Sequence, residues 1–396
     1  MMTRDPKLFQ STSSAFHTED STLASRRFLP VAEPALVGNE IAYVNEALSS
    51  TWISSSGKYI EQFEQKFADF CGTSHAISCC NGTAALHIAL LALDVGSGDE
   101  VIVPTLTFVA TANAVSYCGA TPIFVDSEPT TWNMDPAAIE ALITPRTKGI
   151  IAVHLFGHPA DMDPIMEIAA RYNLFVVEDA AEAHGAEYKG RRVGSIGHIG
   201  TFSFFGNKII TSGEGGMTVT NDANLASRMR QLKGQGQDFK RRYWFPIIGY
   251  NYRMTNIQAA IGLAQMERVD WHIAQRCANA QLYRDNLGNH LSFVLQPELP
   301  GCKNVYWMNS IVFNENFPYN RDTAMEKLSQ QGIETRPFFY PMHILPPYQH
   351  LSNKRVFPVA ETVAARGINI PSSALLTERE IKYVAETLSC LANGDE

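Results

Sequence analysis

The chain has 396 residues, of which 45% are hydrophobic, with a formal net charge of -8 and an isoelectric point near 5.8. Proteins that bind nucleic acid or anionic membranes through charge carry a basic stripe, so this acidic balance argues against both classes. The longest apolar run, residues 84–93, is interrupted by His87 and falls short of the ~20 residues that span a bilayer. We expect a soluble protein with one large domain and one smaller domain.

Cysteine usage bears on the cellular compartment. The seven cysteines are odd in number and lack the paired spacing of a zinc site. Free thiols in a reducing cytoplasm account for them better than a disulfide framework does. The sequence therefore predicts a cytoplasmic protein.

The predicted organisation begins with a polar segment. Residues 1–27 are rich in Ser and Thr and have no apolar stretch, which excludes a signal peptide and predicts a flexible N-terminal extension. Helical periodicity appears at residues 38–48 and 59–71, with a loop at 52–58 between them. We place a large domain at residues 28–270 and a small C-terminal α/β domain at 271–396.

Beyond residue 74, β-prone runs alternate with helical segments. This alternation predicts βαβ units and a mostly parallel sheet flanked by helices. The predicted strands cover residues 75–79, 100–104, 121–126, 149–154, 173–179, 201–205 and 217–220. The first predicted helix is opened by residues 81–83 and ends at residue 93. A second follows Thr107, a third begins at Pro136, and two more cover residues 164–172 and 225–232.

The C-terminal third is less regular. Residues 233–249 read as an irregular loop, and residues 254–286 as one long helix that links the two domains. A β-prone run at 307–313, helices at 323–331 and 378–391, and a Pro-rich turn at 337–348 would build the small domain.

A candidate phosphate cradle follows the first predicted strand. Asn81, Gly82 and Thr83 open the next helix. Small residues there let backbone amides approach an anion at the positive end of a helix. A Gly-Thr turn alone is weak evidence for phosphate binding.

Lys208 is the most informative residue of the chain. It lies between the aromatic run 201–205 and the glycine-rich turn 213–216, where its amine can face a cavity. Asp179 ends a buried parallel strand, at the edge where open α/β sheets bind ligands. Pyridoxal phosphate uses both groups, because a lysine forms its Schiff base and a carboxylate keeps its pyridine nitrogen protonated. A solvated turn lysine is the alternative reading of Lys208.

Other kinds of site have weaker support. Gly194, Gly197 and Gly200 have G-x-x-G-x-x-G spacing instead of the dinucleotide fingerprint, and no strand-to-helix switch follows them. No G-x-S-x-G nucleophile motif occurs.

A metal site between residues 154 and 163 is a further alternative. His154, His158, Asp161 and Asp163 have spacings that a loop around an ion could use. The Gly and Pro residues between them favour a turn, and Asp161 before Pro164 favours a helix cap. We prefer the structural interpretation.

Phe108 follows the predicted strand 100–104. It is either a core residue or a flat face that stacks on the coenzyme ring.

Several motifs resemble one enzyme family. They are Asn81-Gly-Thr-Ala84, Val103-Pro-Thr-Leu-Thr-Phe108, Glu178-Asp-Ala-Ala-Glu-Ala-His-Gly185, Ser203-Phe-Phe-Gly-Asn-Lys208, Gly213-Glu-Gly-Gly216, Gly249-Tyr-Asn-Tyr-Arg253 and Thr335-Arg-Pro-Phe-Phe-Tyr-Pro-Met-His343. From about Phe28 to the last helix the chain resembles the DegT/DnrJ/EryC1/StrS sugar-nucleotide aminotransferases. That resemblance implies fold-type I, with pyridoxal 5'-phosphate as the cofactor.

The resemblance also implies roles for the cofactor-binding residues. Lys208 would hold the coenzyme, Asp179 would pair with the pyridinium nitrogen, Phe108 would cover the ring, and Glu182 would lie near the ring hydroxyl. Gly82, Thr83 and Ser203 would bind the phosphate, and Asn251 would reach the phosphate in the neighbouring subunit of a homodimer with shared sites.

The implied reaction has two halves. L-glutamate would convert the cofactor to pyridoxamine phosphate, which would aminate C4 of a nucleotide-linked 4-keto-6-deoxy sugar, GDP-4-keto-6-deoxymannose in the subgroup that the chain resembles most. Lys208, once free, would move a proton between the cofactor carbon and C4 of the sugar. The candidate substrate-binding residues are Trp52, Ser54, Lys58, Arg336 and His343. A dTDP- or UDP-linked sugar, amination at C3, and a non-catalytic module on the same fold are the alternatives.

Overall fold

The computed structural model describes residues 28–288, 290–352 and 355–394. The predicted extension at 1–27 lies outside the described residues. The helices are α1 Glu40–Ser50, α2 Lys58–Cys71, α3 Gly82–Ala92, α4 Ala110–Tyr117, α5 Met162–Tyr172, α6 Ala223–Lys233, α7 Asn256–Met266, α8 Val269–Leu287, α9 Arg321–Gln330, α10 Pro358–Arg366 and α11 Glu378–Ala392.

Fourteen short strands are found in the described residues. They are β1 His75–Cys79, β2 Glu100–Pro104, β3 Thr121–Val125, β4 Thr147–Val153, β5 Phe175–Asp179, β6 Glu187–Tyr188, β7 Arg191–Arg192, β8 Ile199–Ser203, β9 Gly216–Thr220, β10 Phe293–Leu295, β11 Cys302–Lys303, β12 Asn309–Phe313, β13 Arg336–Pro337 and β14 Gly367–Ile370.

A seven-stranded sheet organises the larger part of the chain. Its strand order is β1-β9-β8-β5-β4-β2-β3. Only β9 runs against its neighbours β1 and β8, so the predicted mostly parallel sheet is confirmed. The strands are buried along nearly their whole length, which matches their Val- and Ile-rich sequences, since helices cover both faces of such a sheet.

The strand directions bring distant residues to one edge. Because β1, β5 and β8 run the same way, their carboxyl ends meet, and with them the residues that end or follow these strands. Asn81, Asp179 and Ser203 are thereby neighbours in space despite their separation in sequence. This convergence creates the candidate active site.

The C-terminal residues build a second sheet. It has the order β10-β12-β14-β13 and is antiparallel throughout. Its own apolar cluster joins α8, α9 and α11 and also includes Leu29. A separate core lies around the large sheet. The domain boundary at residues 270 and 271 stays a prediction.

Two helix predictions were wrong. The helix expected from Pro136 is only two 3-10 turns, Pro136–Ala138 and Glu140–Leu142, and Pro145 disfavours a helical conformation at Thr144 beyond them. The helix expected over 254–286 is divided into α7 and α8. Arg268 leaves the helical region at φ -121°, and the adjacent Glu267 carboxylate accepts hydrogen bonds from Asn39 and Tyr43.

Within the described ranges, no helix combines the length and the apolar character that crossing a bilayer requires.

Candidate active site

A cavity of about 430 Å³ opens at the carboxyl edge of the large sheet. Eight of the residues predicted from the sequence line it, namely Gly82, Thr83, Phe108, Asp179, Glu182, Ser203, Lys208 and Arg336. They come from strand ends and helix starts that the sheet topology brings together.

Lys208 lies in the turn after β8, and its side chain, only 12% exposed, reaches into the cavity. The Nζ atom lies 3.9 Å from Glu182 Oε1 and 3.8 Å from the centre of the Trp307 ring. Burial lowers the pKa of Lys208, while the Glu182 and Asp179 carboxylates act in the opposite direction. A solvated turn lysine is therefore not what the structure shows.

Asp179 ends β5 and is held by two donors. Thr111 Oγ1 donates to its Oδ2 at 2.8 Å, and the Ala181 backbone N–H donates to its Oδ1 at 3.3 Å. Burial raises the pKa of Asp179, and these donors and the charge of Lys208 oppose that shift because they favour the carboxylate. A buried carboxylate of this kind can pair with a cationic ring nitrogen.

Glu182 faces Lys208 from the turn after β5. Its Oε2 accepts a hydrogen bond from the Phe156 N–H at 2.9 Å, which directs Oε1 toward the lysine. Burial raises the pKa of Glu182 to about 7, against the lowering effect of the Lys208 charge. The carboxyl group can therefore carry or release a proton near neutral pH.

The raised pKa of Glu182 predicts a pH-dependent stability. Its unfolded value is near 4.5, so its protonated form stabilises the fold below that pH, and this stabilisation is lost as pH rises through about 7. The Glu182→Gln variant has no carboxyl group at this position, so its stability does not fall in this way as pH rises. The thermal midpoint of coenzyme-free Glu182→Gln, relative to wild type, should rise by about 3 °C between pH 4.5 and pH 8, which corresponds to about 3 kcal/mol.

The matched control is Glu61→Gln, at an exposed glutamate of α2. The thermal midpoint of Glu61→Gln should equal that of wild type at every pH. A Glu182→Gln difference that stays constant over the same range would contradict the assignment.

The candidate phosphate cradle forms where β1 leads into α3. Asn81 caps the helix, since its side chain accepts the Ala84 N–H at 2.8 Å. A Cβ on Gly82 would come within 2.8 Å of the Ser203 Cβ, so only glycine lets the helix start approach β8 this closely. The first N–H groups of α3 and the Ser203 hydroxyl thus lie at one end of the cavity, where an anion is favoured.

Pyridoxal phosphate fits this set of residues. The cavity offers a buried amine at Lys208, a buried carboxylate at Asp179, and a glycine-lined helix start at Gly82. These are the three groups that the aldehyde, the ring nitrogen and the phosphate of the coenzyme require. The half-exposed Phe108 ring also faces the cavity and lies 5.8 Å from Phe339, so it is not a core residue.

Arg336 is the cavity residue that brings a positive charge besides Lys208. It lies in β13, at the C-terminal side of the cavity, with its Nε 3.6 Å from Glu334 Oε1. Its guanidinium is less than half exposed and can receive a carboxylate or phosphate.

The structure does not bring the other predicted substrate residues to this cavity. Trp52 and Ser54 each present a backbone carbonyl to Asn256, and Lys58 pairs with Glu46 on α1. Asn251 is exposed and likewise does not line the cavity of its own chain. A single chain therefore leaves these four residues outside the site.

His343 lies in a buried turn behind the cavity. Its Nδ1 is 2.7 Å from Thr105 Oγ1, its Nε2 is 3.1 Å from Glu361 Oε1, and its ring stacks on Phe357. Both nitrogens are thus engaged by protein groups, and the residue is absent from the cavity lining. The structure thus places His343 outside the cavity lining, and the predicted sugar contact stays a prediction.

The residues of the metal alternative have other partners. His154 Nδ1 accepts the Ala160 N–H, so its Nε2 carries the proton that it shares with Glu178 at 3.1 Å. Asp161 occupies the N-cap position of α5, but its side chain makes no capping hydrogen bond, and its Oδ1 accepts a hydrogen bond from the Tyr188 hydroxyl. Over the described ranges, no group of three or more His, Cys, Asp or Glu residues could hold a metal ion.

Trp307 is the main cavity residue that sequence reasoning missed. It lies under the Lys208 amine and is supplied from the C-terminal part of the chain, 99 residues beyond the lysine. Its position in the β-prone run 307–313 indicated a strand and nothing about the site.

Known proteins share this fold and sequence. A model of the DegT/DnrJ/EryC1/StrS aminotransferase family matches residues 34–389. The GDP-perosamine synthase of Caulobacter vibrioides is 55% identical, over 91% of this chain and 97% of that protein. The GDP-perosamine synthase of Escherichia coli O157:H7 is 50% identical, over 92% and 98%.

A solved structure agrees with these matches. DesV of S. venezuelae, crystallised in complex with a ketimine intermediate, is 33% identical with a TM-score of 0.87, over 92% of this chain and 99% of that chain. The fold is therefore that of the pyridoxal phosphate-dependent aminotransferases. The cavity and the large sheet are consistent with the match of the sequence to the family model. The chain belongs to the DegT/DnrJ/EryC1/StrS aminotransferase family.

Proposed function

We propose that this aminotransferase moves the amino group of L-glutamate to C4 of GDP-4-keto-6-deoxymannose and so makes GDP-perosamine for a surface polysaccharide. The observation that carries the proposal is the identity of 50–55% to two GDP-perosamine synthases over more than 90% of the chain. The reaction would take place in the cytoplasm.

The residues of the cavity have distinct tasks in this reaction. When bound, pyridoxal phosphate supplies an aldehyde that condenses with amines and a ring that accepts electrons. Lys208 would hold it covalently, and Asp179 would keep its ring nitrogen protonated. Thr83, Ser203 and the start of α3 would bind its phosphate, with Phe108 against the ring.

Proton movement is the second task of Lys208. Burial lowers the pKa of its amine, so the amine can accept a proton from one carbon and return it to another when it is free. Glu182, 3.9 Å away, would balance the charge of that amine. Because an ordinary exposed lysine stays protonated at neutral pH, the enclosed position is required for this role.

The substrate end of the cavity is held by Arg336. Its guanidinium would bind the carboxylate of L-glutamate in one half-reaction or a phosphate of the sugar nucleotide in the other. Both substrates are anionic, which suits a single cation at this position.

We further propose a homodimer with shared sites. Asn251 and the loop with Trp52, Ser54 and Lys58 lie outside the cavity of their own chain, and Trp52 is 61% exposed. In a two-fold dimer the same surface of each chain meets the other. These residues would then complete the partner's site, with Asn251 at the coenzyme phosphate.

Mixed dimers test this arrangement. Lys208→Ala and Asn251→Ala should each be weakly active alone, because each homodimer has two damaged sites. After the two variants are mixed and exchanged, half of the dimers should hold one intact site, which gives about a quarter of the wild-type turnover. Turnover that stays at the level of the separate variants would contradict shared sites.

A substrate screen tests the sugar assignment. The enzyme is converted with L-glutamate to its pyridoxamine form, and keto-sugar nucleotides carrying GDP, dTDP or UDP are added one at a time. GDP-4-keto-6-deoxymannose should restore the original visible absorption fastest, with product aminated at C4. Faster restoration by a dTDP- or UDP-linked sugar would replace the assignment, and no response to any sugar would favour a non-catalytic module.

A further inference from the structure

The Lys208 amine has two close partners in the cavity. Its Nζ lies 3.8 Å above the centre of the Trp307 ring and 3.9 Å from Glu182 Oε1. An indole face attracts a cation because of its quadrupole, most strongly where water is excluded. The amine therefore meets both a carboxylate and an aromatic face.

Trp307 is fixed in this position by its own contacts. Its indole N–H donates to the Asn207 carbonyl at 2.8 Å, next to Lys208 in the chain. Its backbone carbonyl accepts a hydrogen bond from the buried Arg276 at 2.8 Å. The Trp307 ring is thus tied to the lysine segment, and the Trp307 backbone to α8.

One turn positions both partners of the amine. The Phe156 N–H donates to Glu182 Oε2, and the Phe156 ring is stacked with Trp307 at 22° between the planes and 6.4 Å between centres. Gly157 has φ +109°, and a Cβ there would come within 2.8 Å of the Trp307 backbone nitrogen. Moving this turn would displace the carboxylate and the indole together.

We propose that Trp307 is a positioning residue which, with Glu182, forms a resting site for the Lys208 amine whenever it is released from the coenzyme. The inference rests on the proposed role of Lys208 in transamination, where the lysine is free while the coenzyme carries the amino group. The resting site holds the amine beside the reacting atoms and stabilises the ammonium that forms once the amine has accepted a proton. It thereby limits the number of lysine conformers from which the next proton transfer begins.

Other ionisable groups near the amine are few. Glu182 and Asp179 favour the ammonium form, whereas burial opposes it. His184 is also affected by the Lys208 charge, but burial lowers its pKa to about 3, so it is neutral at physiological pH. Arg336 and Glu214 line the same cavity.

The test measures the protonation of Lys208 directly. Cyanate carbamoylates only neutral amines, and mass spectrometry of the peptide that contains Lys208 gives the rate at each pH. Full-length enzyme converted with L-glutamate to the pyridoxamine form is compared with the coenzyme-free protein. In Trp307→Leu the pH midpoint of labelling should fall by about one unit, with about 10-fold faster labelling at neutral pH.

Two further variants separate the ring face from general disruption. Trp307→Phe keeps an aromatic face and should shift the midpoint by less than half as much. Trp271→Leu removes a tryptophan that lies under Arg268, outside the cavity, and should leave the midpoint unchanged. Circular dichroism confirms that each variant is folded.

Several results would overturn the inference. They are an unchanged or higher midpoint in Trp307→Leu, or an equal fall in Trp307→Phe. Failure of the proposed function appears differently, because Lys208 in the untreated holoenzyme would then be labelled as readily as in the coenzyme-free protein. Protection of Lys208 in the holoenzyme with an unchanged Trp307→Leu midpoint would retain the function and remove only the resting site.

Discussion

Lys208→Ala is expected to lose the visible absorption of the bound coenzyme and at least about 10³-fold in transaminase turnover, because covalent attachment and proton transfer both depend on this amine. No other lysine is found among the described residues that line the cavity. Absorption spectra with added pyridoxal phosphate and an assay of 2-oxoglutarate formation measure the two losses.

Lys208→Arg is the informative companion variant. It keeps a positive charge but cannot condense with an aldehyde, so it should lose as much activity as the alanine variant. Lys382→Ala, at an exposed lysine paired with Glu378 on α11, is the matched control and should retain full turnover. More than trace turnover in Lys208→Ala would remove the assignment.

Asp179→Asn is expected to lower turnover by about 10²–10³-fold, because a neutral amide cannot keep the ring nitrogen protonated by charge. The amide has nearly the size of the carboxylate, so the fold and the hydrogen bond from Thr111 should persist. Turnover at saturating substrate and the spectrum of the bound coenzyme show whether the loss is electronic.

Thr111→Val separates the charge from its support. It removes the hydroxyl donor 2.8 Å from Asp179 Oδ2 and leaves the carboxylate in place. Since one hydrogen bond to a charged group is lost, turnover should fall by about 10-fold. An Asp179→Asn variant that is no worse than Thr111→Val would show that the charge of Asp179 is not used.

The large sheet and the central pair of residues were predictable from local sequence. The run that ends in Asp179 is apolar up to Val177 and buried throughout, which is typical of a strand covered on both faces. Since parallel strands end at one edge, the same pattern indicated that Asp179 would share a site with Lys208. The start of α3 at Gly82 was equally readable, because a strand, small residues and a helix follow directly.

Other features depend on contacts between distant segments. The division of residues 254–286 into α7 and α8 involves Glu267, whose partners lie on and beside α1. Trp307 reaches Lys208 through its contacts with Asn207 and with the ring of Phe156, both distant in the sequence. His343 was assigned to the sugar by its motif, but burial beside Thr105 decides its position. No local pattern encodes these pairings.

The most direct test is reduction of the purified holoenzyme with borohydride, followed by mass spectrometry of its peptides. Reduction fixes the link between the coenzyme and the amine that holds it. We predict a single adduct, with the mass of a reduced pyridoxyl phosphate group, on Lys208. An adduct on another lysine, or none on protein that binds the coenzyme, would contradict the account.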